Sequence, residues 1–467
     1  MLRPVRRPPY LLLSVIGLMA GLLLAALLSL PRVGGLTPAD GTSEASALTP
    51  ISITFSQPMR ADTVEGRLHL DPARPGTIRW SGTTMTFLPS QPWSEGDRVT
   101  ITLDPGALSG RSLPTLKATR WSFTIGAGRL AYLWPADQPA GVYSWSSTAA
   151  EPRPLITAPG GILDFNLTRD GSALVYSTVT AGGVEIRLFP LVGGEDRLLY
   201  HCPPGTTCRS AALSTDGTML VFLQEEPTQN GQTLRRVWAK ALAGGDAYTV
   251  APEDHATTQP AWSSQDWLVI YDQALGGYAF YDRVEPDQAR LAFAVPNALG
   301  ETPTWSPDGA YLVFAEMLFL PEAPSSNMPG AEGPPRYYSH LKRVSIADGS
   351  QVDLSGEAAF LVEDSGPAYS PDGRWIAFSR RRLDPAAWTL GRQLWVMRAD
   401  GSEATELTSR PALNHAGLAW SSDATRLAYI LFDQARASDP SELWWMWADG
   451  REGGRVVVAG YAPEWIP

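Results

Sequence analysis

Cysteine is scarce in this chain of 467 residues: there are two, Cys202 and Cys208. Neither a second cysteine pair nor a histidine pair at ligand spacing exists, so no zinc site is expected, although His201 adjoins Cys202. The five histidines, His69, His201, His255, His340 and His415, are scattered and unpaired in sequence. His255, His340 and His415 fall in segments that could share one face of a fold. They are read as solvated loop residues and not as a metal site. Charge is sparse too, at 18%, and its balance is acidic, with a formal net charge of −11. An acidic body argues against nucleic acid as partner, because phosphate binding needs a basic face. No Gly-x-Ser-x-Gly elbow, His-Glu-x-x-His pair or phosphate-cradling glycine loop occurs. The expectation is therefore a protein without catalytic residues, metal or cofactor, which is not an enzyme.

Long apolar runs are also missing, with one exception. Tyr10–Leu30 reads YLLLSVIGLMAGLLLAALLSL without a charge. At ~1.5 Å per residue such a helix reaches about 31 Å, a bilayer core. Arg3, Arg6 and Arg7 precede it, which places the amino terminus in the cytoplasm and the rest outside. A cleaved signal peptide is the competing reading, but its apolar region would run only ~7–15 residues. The sequence therefore predicts a cytoplasmic stub over 1–9, a transmembrane signal anchor over 10–30 and a linker over 31–35. The expected location is the cell membrane, single-pass, with the later domains extracytoplasmic. In that compartment Cys202 and Cys208, separated by a Pro-Pro-Gly turn, suit a local disulfide. Two unrelated thiols are the alternative.

What the chain has in plenty is turn residues and aromatics: 43 glycines, 40 prolines and 17 tryptophans. The glycines and prolines fall between apolar runs, as in a fold of many short strands. Residues 36–126 alternate apolar and polar side chains at Ile51–Phe55, Thr84–Leu88, Val99–Leu103 and Trp121–Ile125, with no helical period. A small β-sandwich is expected there. Pro38–Gly41 (PADG), Pro50–Met59 (PISITFSQPM), Phe87–Gly96 (FLPSQPWSEG) and Trp121–Thr124 (WSFT) resemble the bacterial Ig-like domain family of envelope proteins. The resemblance implies a spacer or stalk without an active site.

The remainder repeats. Pro303–Ala315 (PTWSPDGAYLVFA) matches Pro367–Ser379 (PAYSPDGRWIAFS). Further copies begin near Phe165, Ala212 and Leu418, and a degenerate one lies at Pro260–Ile270. Each copy is a strand, a tight turn and a second strand. The turns carry Asp170-Gly171, Asp216-Gly217, Asp308-Gly309 and Asp372-Gly373, the pair that hairpin geometry favours. Repetition argues that these aspartates make turns, not acid catalysis or calcium sites. Two further strands follow each copy, so the unit is four antiparallel strands every ~40–50 residues. Around Ser263–Trp267 the Asp-Gly pair is missing and the turn is uncertain. The motif resembles the WD-like repeats of TolB-type β-propellers over 127–467. Arg129–Trp134, Gly141–Trp145 and Glu151–Ile156 lack a first strand, and Tyr461–Pro467 supplies one. An all-β chain ending in a propeller closed by its C-terminal strand is therefore expected, with seven blades favoured over six or eight.

A four-strand meander puts its first and third turns on one face of the ring. The second turn and the inter-blade link lie on the other, which collects the insertions: Gln224–Arg235, Leu318–His340, Arg380–Arg392 and Phe432–Glu442. Long loops on a rigid scaffold are where binding sits. Tyr337, Tyr338, Arg381, Arg382 and Trp388 are the candidate contacts. The expected function is docking of an envelope protein, peptide or glycan, with membrane attachment through the N-terminal helix. A scaffold of a membrane complex, or a propeller hydrolase using channel carboxylates, are the alternatives.

Overall fold

The computed structural model describes residues 30–466, apart from 44, 138, 147–150, 192–193, 229, 320–336, 357–360 and 437. The described chain divides into two compact units. The first runs to Ala45 and includes Pro50–Pro89 and Gly96–Ile125; the second takes Ser46–Thr49, Ser90–Glu95 and everything from Gly126.

The first unit is two antiparallel sheets. One has the strand order Val33–Thr37, Ile51–Phe55, Thr84–Pro89, Gly76–Ser81, and the other Leu68–Asp71, Arg98–Leu103, Thr119–Thr124. Alternation fixes which side is dry. Ile51, Ile53, Met85, Val99, Ile101 and Phe123 are buried while their chain neighbours are not fully so, except beside Phe123. The sequence reading saw no helix here, yet Ala61–Glu65 forms one short turn of helix around the buried Val64. Five residues are too few for a helical period to register.

The membrane-spanning helix expected over 10–30 is corrected. Among the described residues no helix is long and apolar enough to cross a membrane. A crossing needs ~20 apolar residues in helix, and Ala61–Glu65 has five. Residues 1–29, which carry most of the expected anchor, lie outside the described residues.

The second unit contains seven four-stranded antiparallel sheets, here numbered blades 1 to 7 from Ile162. Their innermost strands begin at Ile162, Thr207, Thr257, Thr304, Val362, Leu413 and Tyr461. Blade 7 mixes the two ends of the unit, in the order Arg153–Ile156, Gly141–Ser146, Arg129–Trp134, Tyr461–Ile466. Blades 4 and 5 are also joined by one parallel bridge, Ser339 to Glu363. Every pair of neighbouring blades shares a dry cluster. Leu268 and Ile270 pack on Val221 and Val237, for example, and Trp465 and Leu130 pack on Ala428 and Leu443. The pair formed by blades 7 and 1 is included, through Ile466, Val142, Phe165 and Leu174, so the ring is closed.

The Asp-Gly turns are built from side chains. Oδ1 of Asp170, Asp216, Asp308 and Asp372 accepts the backbone N–H two residues on, at 3.0–3.1 Å, and the hydroxyl two residues back, at 2.6–2.7 Å. The following glycines sit at φ +63° to +74°. Such carboxylates are occupied by the turn. The degenerate copy keeps the turn in the same place, with Asp266 three residues after Ser263 as Gly309 is three after Ser306. Asp266 takes the left-handed conformation at φ +59°, and Ser263 Oγ accepts from the Gln265 and Trp267 amides. Asp is among the few non-glycine residues that tolerate this region.

A further regularity lies on the innermost strands. Ser210, Gln259, Gly366, Gly417 and Ala462 all have φ between +49° and +60°, each where the pairing with the second strand slips register. These are β-bulges, repeated at the same height in five blades.

The closing strand should carry much of the unit's stability. Trp465→Ala, which empties an almost fully buried site at the blade 6–7 boundary, should cost about 3–5 kcal/mol in urea unfolding. A loss below about 1 kcal/mol would show that the ring does not depend on this strand.

Candidate functional site

Among the described residues of the second unit, six of the ten exposed large apolar side chains, Leu275, Phe319, Tyr337, Leu361, Trp388 and Phe432, sit at second turns or strand ends on the long-loop face, over blades 3 to 6. The other four, Leu198, Leu291, Val352 and Val458, are on outermost strands. Phe319 and Tyr337 are direct cross-strand partners, 68% and 45% exposed. Trp388 is 54% exposed. Tyr338 is half-buried instead, its ring edge-on to His340. Most of the Leu318–His340 insert, residues 320–336, lies outside the described residues.

Beside Trp388 a charged network is set into blade 5. Strand register places Glu363 opposite Arg381 and Asp364 opposite Arg380. Asp364 is fully buried and takes Arg380 in a two-pronged pair, Nε to Oδ1 at 2.6 Å and Nη2 to Oδ2 at 2.7 Å. The Ser355 hydroxyl donates to the same Oδ2 at 2.5 Å. The Arg380 guanidinium also stands 5.0 Å from the ring centres of Phe378 and Trp395. Buried ions are stable only with this degree of satisfaction, because desolvating each costs several kcal/mol. Glu363 is likewise buried and is shared by Arg381 and by Arg392 Nη2, the latter at 3.0 Å. Arg381 is therefore turned to a carboxylate within the sheet, not outward. Arg382 points out: its guanidinium lies over Trp395 at 5.3 Å and has no ion pair among the described residues. Arg380, Arg382, Thr389, Trp395, Glu406 and Ser409 line a cavity of about 280 Å3.

The histidines depart from the solvated reading. His340 and His415 are buried, and His255 is mostly covered. Nδ1 of His255 meets Asp272 at 2.7 Å, and that of His340 meets Asp353 at 2.8 Å. Burial would raise the Asp353 carboxyl, but the hydrogen bond and charge of His340 hold it below the usual carboxylate range. Nδ1 of His415 lies 2.9 Å from the Arg392 carbonyl, and burial pushes the imidazole down to about 4. Among the described residues no group of three or more His, Cys, Asp or Glu could hold a metal. Cys202 and Cys208 are joined by a disulfide across the link from blade 1 to blade 2, on the same face.

Two acids on innermost strands stand apart. Glu464 accepts from the Leu167 amide at 2.8 Å, and burial raises its carboxyl to about 7. Asp164 accepts from the Ser210 amide, and burial raises it as well. One oxygen of Asp164 is buried without a hydrogen bond.

Residues 29–125 match the bacterial Ig-like domain family. Among curated proteins the chain is similar to the uncharacterized peptidase YuxL of Bacillus subtilis (strain 168), 24% identical over 206 residues. That match covers 44% of this chain and 24% of the relative, so the chain spans about a quarter of the length of the curated relative it matches. Solved structures with a similar fold include TolB from Acinetobacter baumannii, at 14% identity, 86% of this chain, 83% of that one and a TM-score of 0.42. Another is the β-propeller domain of the Trilobed protease from Pyrococcus furiosus, at 10% identity, 79% of this chain, 96% of that one and a TM-score of 0.43. The seven blades rest on the strand pairing itself, and these likenesses are not needed for it. The peptidase match does overturn one expectation: a non-enzymatic role does not follow from the missing motifs, since this chain shares a 206-residue segment with a protein called a peptidase.

Sequence reasoning reached Arg382, Trp388 and Tyr337 through loop length alone. It missed Glu363, Asp364, Arg380, Arg392 and the cavity. The one available signal was the run Arg380–Arg382 facing Glu363-Asp364, which needs the strand register to be read.

His415 and Glu464 act on stability with opposite signs in overlapping pH ranges. His415, depressed to about 4 from 6.5, contributes stability that is full above pH ~6.5 and lost as pH falls toward 4, about 3 kcal/mol in all. Glu464, raised to about 7, favours folding more as pH falls from 7 toward 4.5. Urea midpoints for His415→Gln should therefore decline less between pH 7 and 4.5 than those of the parent chain. Parallel declines would remove His415 as the source.

Proposed function

We propose that this chain is a recognition protein whose propeller binds a protein or peptide ligand through the long-loop face of blades 3 to 6. The gathering of Leu275, Phe319, Tyr337, Leu361, Trp388 and Phe432 on that face carries the reading. Exposed apolar side chains concentrated on one face mark interaction sites, and aromatic anchors dominate their energetics. The buried Arg–carboxylate network of blade 5, the blade that carries Trp388, adds rigidity to that face. The Ig-like unit serves as a spacer. The Cys202–Cys208 disulfide supports an extracytoplasmic, oxidising compartment, where an envelope protein, peptide or glycan is the available partner. A photo-crosslinking residue placed in turn at positions 361, 388 and 432 in cells should capture the same partner. The same probe at 198 or 291 should capture none of it. Equal capture from the outermost strands would remove the long-loop face as the site.

The peptidase match supports a second reading, in which innermost-strand carboxyls act on a bound substrate. Burial raises the Glu464 carboxyl to about 7, where a general acid serves near neutral pH, and raises Asp164 in the same direction. Under this reading Asp164→Asn and Glu464→Gln lower turnover of a peptide library by roughly 100-fold or more without lowering the unfolding midpoint. Turnover that survives both substitutions excludes these residues as the acids.

A further inference from the structure

The blade 5 cavity holds two charges of opposite sign that do not meet. Arg382 enters from the end of the second strand and Glu406 from the fourth. Neither makes an ion pair or side-chain hydrogen bond among the described residues, although the protein pairs nearly every other charge around them. Trp395 lies between the two strands that carry them and pairs directly with Glu406 in register. Its indole already accepts the Arg382 guanidinium on its face.

A bare anion would meet Arg382 but also the Glu406 carboxylate. A bare cation would meet Arg382. A ligand that carries both signs satisfies the wall. At about 280 Å3 the cavity is smaller than the ~300–1,000 Å3 of pockets for larger ligands. It has room for a single amino-acid-sized group.

We infer that this cavity binds a zwitterionic amino acid, its carboxylate on Arg382, its ammonium on Glu406 and its apolar part against Trp395. The inference rests on the long-loop face being the binding face, and it names the chemistry that face reads. A free amino acid carries both signs on one residue, whereas a residue at either end of a peptide carries one, so the ligand is the free amino acid.

The test is isothermal titration of the full chain at low salt with L-leucine, leucinamide, N-acetylleucine and Gly-Gly-Leu. Leucine should bind, and removing either charge should weaken binding at least roughly tenfold. Arg382→Gln should abolish the preference for leucine over leucinamide. Glu406→Gln should abolish the preference for leucine over N-acetylleucine. Both side chains are at the surface, so each variant should keep the parent unfolding midpoint. Gly-Gly-Leu carries an amide where leucine carries the ammonium and should bind as weakly as N-acetylleucine; binding as tight as that of leucine overturns the inference. No binding of leucine at millimolar concentration, or binding indifferent to both substitutions, overturns the inference. Crosslinking from position 388 is a separate readout, so a failed cavity and a failed docking face are distinguishable.

Discussion

The pairing of Tyr461–Ile466 with Arg129–Trp134 is the constraint on which the second unit depends. Each blade buries its faces only against its neighbours, so a ring with one gap would leave two sheets with an uncovered side and an unpaired edge. Six residues at the end of the chain supply both the missing strand and the missing wall. Trp465 is packed against blade 6 and Ile466 against blade 1, so a single strand serves two boundaries.

Rigidity of that kind is what lets one face specialise. The short-turn face is spent on Asp–amide and Asp–hydroxyl bonds that repeat from blade to blade. The opposite face uses Asp–amide bonds too, at Asp272, Asp384 and Asp433, but between them its loops carry the variation. Blade 5 shows how far variation can go: two carboxylates inside the sheet pair with Arg380, Arg381 and Arg392, and Arg382 remains for other use. The parallel bridge from Ser339 to Glu363 ties that network to blade 4, whose Phe319 and Tyr337 form the neighbouring apolar rim. A ligand spanning both blades would not have to order them first, which preserves affinity.

The sequence made the blades legible because Asp-Gly turns and apolar strands are local chemistry, visible residue by residue. The bulges were not legible. Ser210, Gln259, Gly366, Gly417 and Ala462 share a backbone conformation but no side-chain type, so nothing in their identity marks them. The short helix Ala61–Glu65 was too brief to show a period. The site was half legible. Loop length pointed to Trp388 and Arg382, but the partition of the arginine run into buried and free members depends on cross-strand register. Buried His340 and His415 escaped for the same reason: a histidine beside a loop looks solvated until the strand that covers it is known.

The closing strand also sets an order of events during synthesis. The indole of Trp134 donates to the Val458 carbonyl, 324 residues later in the chain. At ~5–20 residues per second a ribosome needs on the order of 15–65 s to cover that distance. For that interval the opening strands of blade 7 have no innermost partner, and blade 1 has a bare flank. The nascent ring is thus an open arc with two sticky margins, and a second nascent arc offers each margin the same complement as its own tail. For that interval, about 15–65 s, these margins stay open to pairing with another copy, until Tyr461–Ile466 emerges.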